Sequence, residues 1–301
     1  NAEYMGYKIT KTIKIMSEKK EFKLPETVVK STGLSPRDLV VIAQPKMGKS
    51  AIFGDFTTKY NGVVLNLEKG GYEYIDAKKI NIHESQESSD IDAFFNYCKI
   101  RNILLKNKGK YSVLFIDGLS DLDKMSELGG TLAYMKSTVG KRFNAINPRD
   151  PSDKPEQFSP TDPGFKSVLT LPDGAGYKHT RDWFLDQVGM FRQISPYRVY
   201  AAHIADKYIS DKTRDAVVGQ EILLTGKLKN IFASKVTALG KLIAEDNERY
   251  LNFEVLNDSL IAGSRAPFLK GKILISKSEG KDDVKTFWEN IFNKDLLNSI
   301  K

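Results

Sequence analysis

Short apolar runs and longer amphipathic stretches alternate along most of this chain. Val40 to Ala43 form a β-branched run that ends at a turn, and Gly48, Lys49 and Ser50 open a stretch with helical spacing. "GVVLNLEKGG" (62–71) predicts a second strand, ending in Glu68 and a glycine turn, and a helix follows around Phe94 to Leu105. "KYSVLFIDGLSDL" (110–122) predicts an apolar strand closing on Asp117. "TRDWFLDQVGMFRQIS" predicts a helix capped by Thr180, and "YRVYAAHIA" the next strand. Strands and helices alternating in this way imply an α/β fold, a mainly parallel central sheet with helices on both faces.

Later segments change character. "RYLNFEVLNDSLIAGSRAPFLKGKILIS" reads as hairpin-like strands and "DDVKTFWENIFNKDLLNSI" as a closing amphipathic helix. The expected organisation is an N-terminal extension at 1–37, a core at 38–275 and a C-terminal helix at 276–301. The extension alternates lysine with apolar residues, which suits an edge strand with a short helix as well as an arm for oligomer contacts. An insertion at about 140–180 interrupts the core; "GKRFNAINPRDPSDKPEQFSPTDPGF" is rich in proline and poor in apolar residues, so it reads as a functional loop or a linker. Its Lys141, Arg142, Arg149 and Lys154, interleaved with Phe143, Phe158 and Phe165, suit single-stranded nucleic acid. Asp150, Asp153, Glu156 and Asp162 cancel much of that field.

At 301 residues and 41% hydrophobic composition, the chain can bury a sizeable core. No apolar run approaches the roughly 18 residues of a membrane span, and the N-terminal stretch has no secretion-signal core, so a cytoplasmic protein without a membrane partner is expected. One cysteine, Cys98, excludes an intramolecular disulfide and suits a reducing compartment. It falls in the apolar helical pattern "DAFFNYCKIRNILL" and reads as a core residue. The net charge of +8 favours a polyanionic partner, although a solvated lysine-rich surface gives the same total.

The chemistry concentrates in "AQPKMGKSA". A strand, a tight turn and a helix opening on Gly-Lys-Ser match a phosphate-binding loop, or Walker A motif, whose backbone N–H groups surround the phosphates of a nucleotide. Ala43, Gln44, Pro45, Lys46, Met47, Gly48, Lys49, Ser50 and Ala51 are the nucleotide-binding residues on this reading. Lys49 would neutralise phosphate oxygens and the Ser50 hydroxyl would coordinate Mg²⁺. Ala43 stands where such a loop usually has its first glycine, and a methyl group there is a mild addition if φ is negative.

Three further residues close predicted strands at the same sheet edge, where open α/β sheets bind ligands. Asp117, after the apolar Val113 to Ile116, is placed to orient the Mg²⁺ shell; the competing reading is a helix cap. Glu68 suits the positioning and deprotonation of an attacking water. His203 is a candidate sensor of the γ-phosphate, against the commoner structural role of a lone histidine. His83 and His179 lack metal-ligand spacing.

"PKMGKS", "LNLEKGG", "LFIDGLSDL", "LPDGAGY", "AAHIADK", "LLTGKLKNIFASKVTALGKL" and "AGSRAP" occur in an order that resembles the RecA-like AAA ATPases of bacteriophages, in particular their RecA-related single-strand-annealing group. The resemblance spans roughly residues 38 to 275. It implies a RecA-type core, an ATP phosphohydrolase using ATP and Mg²⁺, a homo-oligomeric ring or filament, single-stranded DNA as partner, and work in DNA recombination or annealing in the host cytoplasm. A single-strand-binding protein is a further partner it admits. By the same resemblance Glu68 matches the catalytic glutamate, Asp117 the Walker B aspartate and His203 the polar sensor. The segment after His203 matches a mobile DNA-binding loop, with Lys207, Lys212 and Arg214 facing phosphates. Lys227, Lys229 and Arg265 are candidates for the cation that one subunit lends its neighbour's site during catalysis. Thr237 stands where many relatives carry an acid. Two other readings remain open: a helicase, helicase loader or other remodelling motor of the same fold, and a nucleotide-binding assembly component that does not hydrolyse.

Overall fold

The computed structural model describes residues 33–140, 160, 166–211, 214–254, 262–278 and 284–298; in 207–211 and 214–218 it describes the backbone alone. The chain divides into units Asn1–Gly33 and Leu34–Lys301, and apart from Gly33 the first lies outside the described residues. Most of the expected 1–37 extension and all seven basic and aromatic residues singled out in the insertion therefore fall outside them.

Strand β1 (Asp38–Ala43) leads through a turn into helix α1 (Lys49–Lys59), followed by β2 (Gly62–Asn66), β3 (Lys79–Asn81) and α2 (Asp90–Lys106). Next come β4 (Val113–Asp117), α3 (Leu119–Met135), α4 (Gly176–Ile194), β5 (Tyr197–Asp211) and β6 (Arg214–Ile222). Helix α5 (Leu228–Lys235) precedes β7 (Ala238–Glu245), β8 (Glu248–Asn252), β9 (Gly263–Ser264), β10 (Lys272–Ser278), β11 (Val284–Thr286) and α6 (Lys294–Asn298). Among the described residues, the strands belong to one eleven-stranded sheet ordered β11-β10-β8-β7-β1-β5-β4-β2-β3, with β6 on β5 and β9 on β7. From β7 to β3 the six central strands are parallel; the pairings outside them are antiparallel.

The period of two along each central strand sends alternate side chains to opposite faces. Val40, Ile42, Leu114, Ile116, Tyr200 and Ala202 pack with α2, α3, α4 and α5. Leu39, Val41, Val113, Phe115, Val199 and Ala201 pack with α1 and the C-terminal segment 288–297. Both faces are covered, which is why these strands read as continuous apolar runs.

Three sequence expectations change. Residues 284–298 do not form one amphipathic helix: β11 pairs with β10, a 3₁₀ turn spans Trp288–Asn290, and only Lys294–Asn298 is helical. Tertiary packing overrides the helical pattern there, because Trp288 is fully buried against Phe56 (5.2 Å between ring centroids) and Phe292 (5.8 Å) and donates its indole N–H to the Ile52 carbonyl at 3.3 Å. The segment after His203 is a hairpin rather than a loop. Strand β5 continues to Asp211 and pairs antiparallel with β6 from Ile204–Ile222 to Asp211–Arg214. Finally, α4 starts at Gly176, and the Thr180 hydroxyl bonds the Tyr177 carbonyl inside the helix instead of capping it. Cys98 is partly buried against the first apolar face, and burial pushes its thiol pKa up. No helix among the described residues is long and apolar enough to cross a membrane.

At the N-terminal edge of the parallel strands the buried Asp38 accepts hydrogen bonds from Arg198 Nε at 2.8 Å, Arg192 Nε at 3.2 Å and the Tyr200 hydroxyl at 3.3 Å. Arg198 is only 4% exposed, so removing its carboxylate strands a buried charge. Asp38→Ala should therefore cost about 3–5 kcal/mol in urea unfolding. Arg192→Met should cost far less, because Asp38 keeps Arg198; equal losses would show that the network is not anchored on Arg198.

Candidate nucleotide site at the carboxyl ends of the parallel strands

The turn from β1 to α1 has two left-handed residues, Lys46 (φ 63°) and Gly48 (φ 89°). A Cβ at Gly48 would meet nothing within 4 Å, so it is the dihedral that asks for glycine there. Ala43 is fully buried at the end of β1 and its φ is not positive, so the strand geometry accommodates its methyl group. Helix α1 has no side-chain cap and no acid in its first turn, leaving its N-terminal N–H groups and dipole directed at the turn. Lys49, the first helical residue, is buried, with the carboxylates of Glu68 and Asp117 as its electrostatic neighbours.

The strand order explains what gathers around this turn. Strand β5 lies between β1 and β4, setting His203 beside Ala43 and Ala201 beside Asp117. On each strand these positions continue the series that faces α1, so Ala43, His203 and Asp117 end on one side of the sheet. Asp117 is 1% exposed. Its Oδ2 accepts hydrogen bonds from the Ser50 hydroxyl at 3.0 Å and the Tyr72 hydroxyl at 2.7 Å; its Oδ1 is buried with no partner. Burial, and then the charge of Glu68, push the Asp117 pKa up. The helix-cap reading of Asp117 is not what the geometry has: α3 is capped by Gly118, at φ 103°, without a side-chain bond. A Cβ on Gly118 would lie 3.0 Å from Glu68 Cγ, so this glycine also lets Glu68 approach β4.

Glu68 sits two residues beyond β2. Its backbone N–H donates to Asn66 Oδ1 at 3.1 Å, while the Asn66 amide donates to Asn81 Oδ1 at 3.1 Å. Glu68 Oε1 and His203 Nε2 are 2.9 Å apart, and this bond is the main reason that the glutamate's pKa is lowered. His203 Nδ1 is buried without a partner. Beyond Glu68 opens a cavity of about 680 Å³, lined among others by Phe94, Asp121, Lys124, Met125 and Leu128.

Other candidates lie elsewhere. Lys207 and Arg214 are on facing arms of the hairpin, and Lys212 lies outside the described residues. Lys229 is paired with Glu221 near the hairpin base, and the exposed Lys227 precedes α5. Arg265 is not with the turn. It follows β9, which pairs with the start of β7 at the opposite edge of the parallel strands, and it donates to the Ser234 carbonyl. Thr237 is at that edge too, bonded to the backbone of Asp38. Sequence reasoning missed Asn66 and Tyr72. Asn66 carried a signal, a polar residue closing an apolar strand; Tyr72, in a glycine turn, carried none.

Compared with models of protein families and with curated proteins, the chain matches none of them.

A pH dependence follows from the Glu68–His203 bond. A carboxylate whose folded-state pKa lies below its ordinary 4.5 contributes stability above that value and loses it as pH falls through the folded one. The part of the gap in unfolding free energy between wild type and His203→Ala that comes from Glu68 should be present above about 4.5 and shrink as pH falls below about 4. A gap constant over that range would show that Glu68 is not the partner that matters.

Proposed function

We propose that this protein binds and hydrolyses ATP as a RecA-like P-loop ATPase, and that it works as a homo-oligomer on single-stranded DNA in recombination or annealing. One observation carries the reading: Lys49, Ser50, Asp117, Glu68 and His203, up to 154 positions apart in sequence, gather at the carboxyl ends of adjacent parallel strands beside an uncapped helix N-terminus. That is the place and chemistry an anionic, metal-bound phosphate chain requires.

The residues fit Mg²⁺. Asp117 Oδ1 is a buried carboxylate oxygen lacking a partner, and the Ser50 hydroxyl lies within hydrogen-bond reach of the same carboxylate. Ser50 and Asp117 would hold the ion, Asp117 by way of its water shell. Two protein side chains suffice, because Mg²⁺ keeps waters and takes phosphate oxygens. When bound, the ion would neutralise charge developing on the phosphates. Lys49 supplies a fixed positive charge to the same oxygens. Glu68 accepts a proton from the attacking water as the ionised carboxylate, the form that its hydrogen bond with His203 favours. His203 holds the Glu68 carboxylate in place and is the candidate to exchange that bond for one to the γ-phosphate. Because His203 and the hairpin share one continuous strand, a change at His203 has a direct route to Lys207 and Arg214.

The test is steady-state ATP hydrolysis with and without single-stranded DNA at two salt concentrations. Lys49→Ala should abolish turnover, Glu68→Gln should lower it about 10²–10⁴-fold while nucleotide still binds, and DNA stimulation should weaken with salt. Tight ATP binding without turnover in the wild type would refute the enzyme and favour an assembly component. Directional unwinding would assign a motor instead of an annealing protein.

A further inference from the structure

Tyr72 is the buried polar side chain at this site that nucleotide binding and hydrolysis leave without a task. Its side chain is 1% exposed in the core face shared with α1, and its hydroxyl donates to Asp117 Oδ2 at 2.7 Å. The Ser50 hydroxyl reaches that same oxygen, at 3.0 Å. With both donors on Oδ2, the other oxygen, Oδ1, is left buried and unpartnered.

The two donors stand on different supports. Ser50 belongs to the helix N-terminus that has to receive a nucleotide. Tyr72 belongs to the turn between β2 and β3, which is tied down independently: the Lys79 ammonium donates to the carbonyls of Tyr72 and, at 2.9 Å, of Ile75. That turn also carries Glu68, four residues earlier, held at its own end by Asn66. We infer that Tyr72 is a positioning residue for the metal: it fixes the Asp117 carboxylate from a turn separate from the helix that carries Ser50, so that Oδ1 stays available to the cation's water shell whatever Ser50 does. Asn66, Glu68, Tyr72 and Lys79 then make one unit that sets the water-activating group and the metal-orienting group together. This assignment rests on the nucleotide reading. A hydrogen bond to a metal-binding carboxylate from outside the coordination sphere typically governs 10–100-fold in metal affinity.

The experiment uses the full chain and Tyr72→Phe, which removes one oxygen and keeps the ring. Affinity for a non-hydrolysable ATP analogue is measured in EDTA and in Mg²⁺, and Mn²⁺ binding in the presence of the analogue is followed by electron paramagnetic resonance. Tyr72→Phe should bind the analogue in EDTA as the wild type does, bind Mn²⁺ at least about tenfold more weakly, and regain turnover at high Mg²⁺. A merely structural tyrosine would weaken the analogue equally in EDTA and in Mg²⁺, and that result overturns the assignment. So does an unchanged Mn²⁺ affinity. A wild type that binds no nucleotide with or without metal would overturn the nucleotide reading itself, a different result from a wild type that binds and a variant that matches it. Should Tyr72→Phe fail to fold, Lys79→Met, which loosens the turn and keeps the phenol, takes its place: weaker Mn²⁺ binding with unchanged binding in EDTA supports the assignment, and unchanged Mn²⁺ binding overturns it.

Discussion

Taking a carboxylate out of water costs several kcal/mol unless hydrogen bonds or a cation replace its hydration. Asp117 is in that position, at the end of a strand otherwise made of Val113, Leu114, Phe115 and Ile116, with Glu68 adding a second negative charge nearby. Two hydroxyls satisfy one of its oxygens, and nothing satisfies the other. The buried Lys49 supplies positive charge but does not close the gap. One carboxylate oxygen is therefore left buried and unpartnered, and the rest of the site follows from where that carboxylate stands.

It stands there because of the sheet. Six parallel strands covered on both faces put every strand's carboxyl end on one edge, and the placement of β5 between β1 and β4 inserts a histidine between the glycine turn and the aspartate. A parallel arrangement also requires each connection to cross back over a face, which is how α1, α2 and α3 come to begin at that same edge. The opposite edge carries a separate charged cluster, around Asp38 and Arg198, that supports the fold. Arg265 and Thr237 belong with that edge.

The continuity of β5 joins the site around His203 to the hairpin. The strand that bears His203 runs on into the hairpin, so the backbone beyond the site is held by ladder hydrogen bonds, with one register shift between Lys207 and Tyr208, rather than free to adopt many shapes. A stiff element of this kind transmits a displacement at its root more directly than a loop does, because it has few internal degrees of freedom to absorb it.

Local signals were enough wherever the physics was local. The apolar runs, the glycine turn at 48 and the strand-terminal Asp117, with Glu68 just past its strand, were legible, whereas His203 reads as a strand end and lies inside β5, because buried parallel strands and tight turns impose their composition directly on the residues that form them but do not announce where a strand leaves the parallel sheet. The strand order was not legible, and it alone decides that Ala43 neighbours His203 or that Ser50 meets Asp117. Neither were the pairing of Glu68 with His203 and the role of Tyr72, which depend on contacts between segments far apart in sequence. The C-terminal segment shows the limit most clearly. Its residues repeat with helical spacing, yet Trp288 gains more by burial among Phe53, Phe56, Phe115 and Phe292 than a continuous helix would offer, and the chain breaks to allow it. Composition and periodicity determined most of the parallel strands and their helices, and where the glycine turn after β1 begins. Tertiary structure decided which residues share a site, because burial energy is settled between surfaces that meet only when the chain is folded.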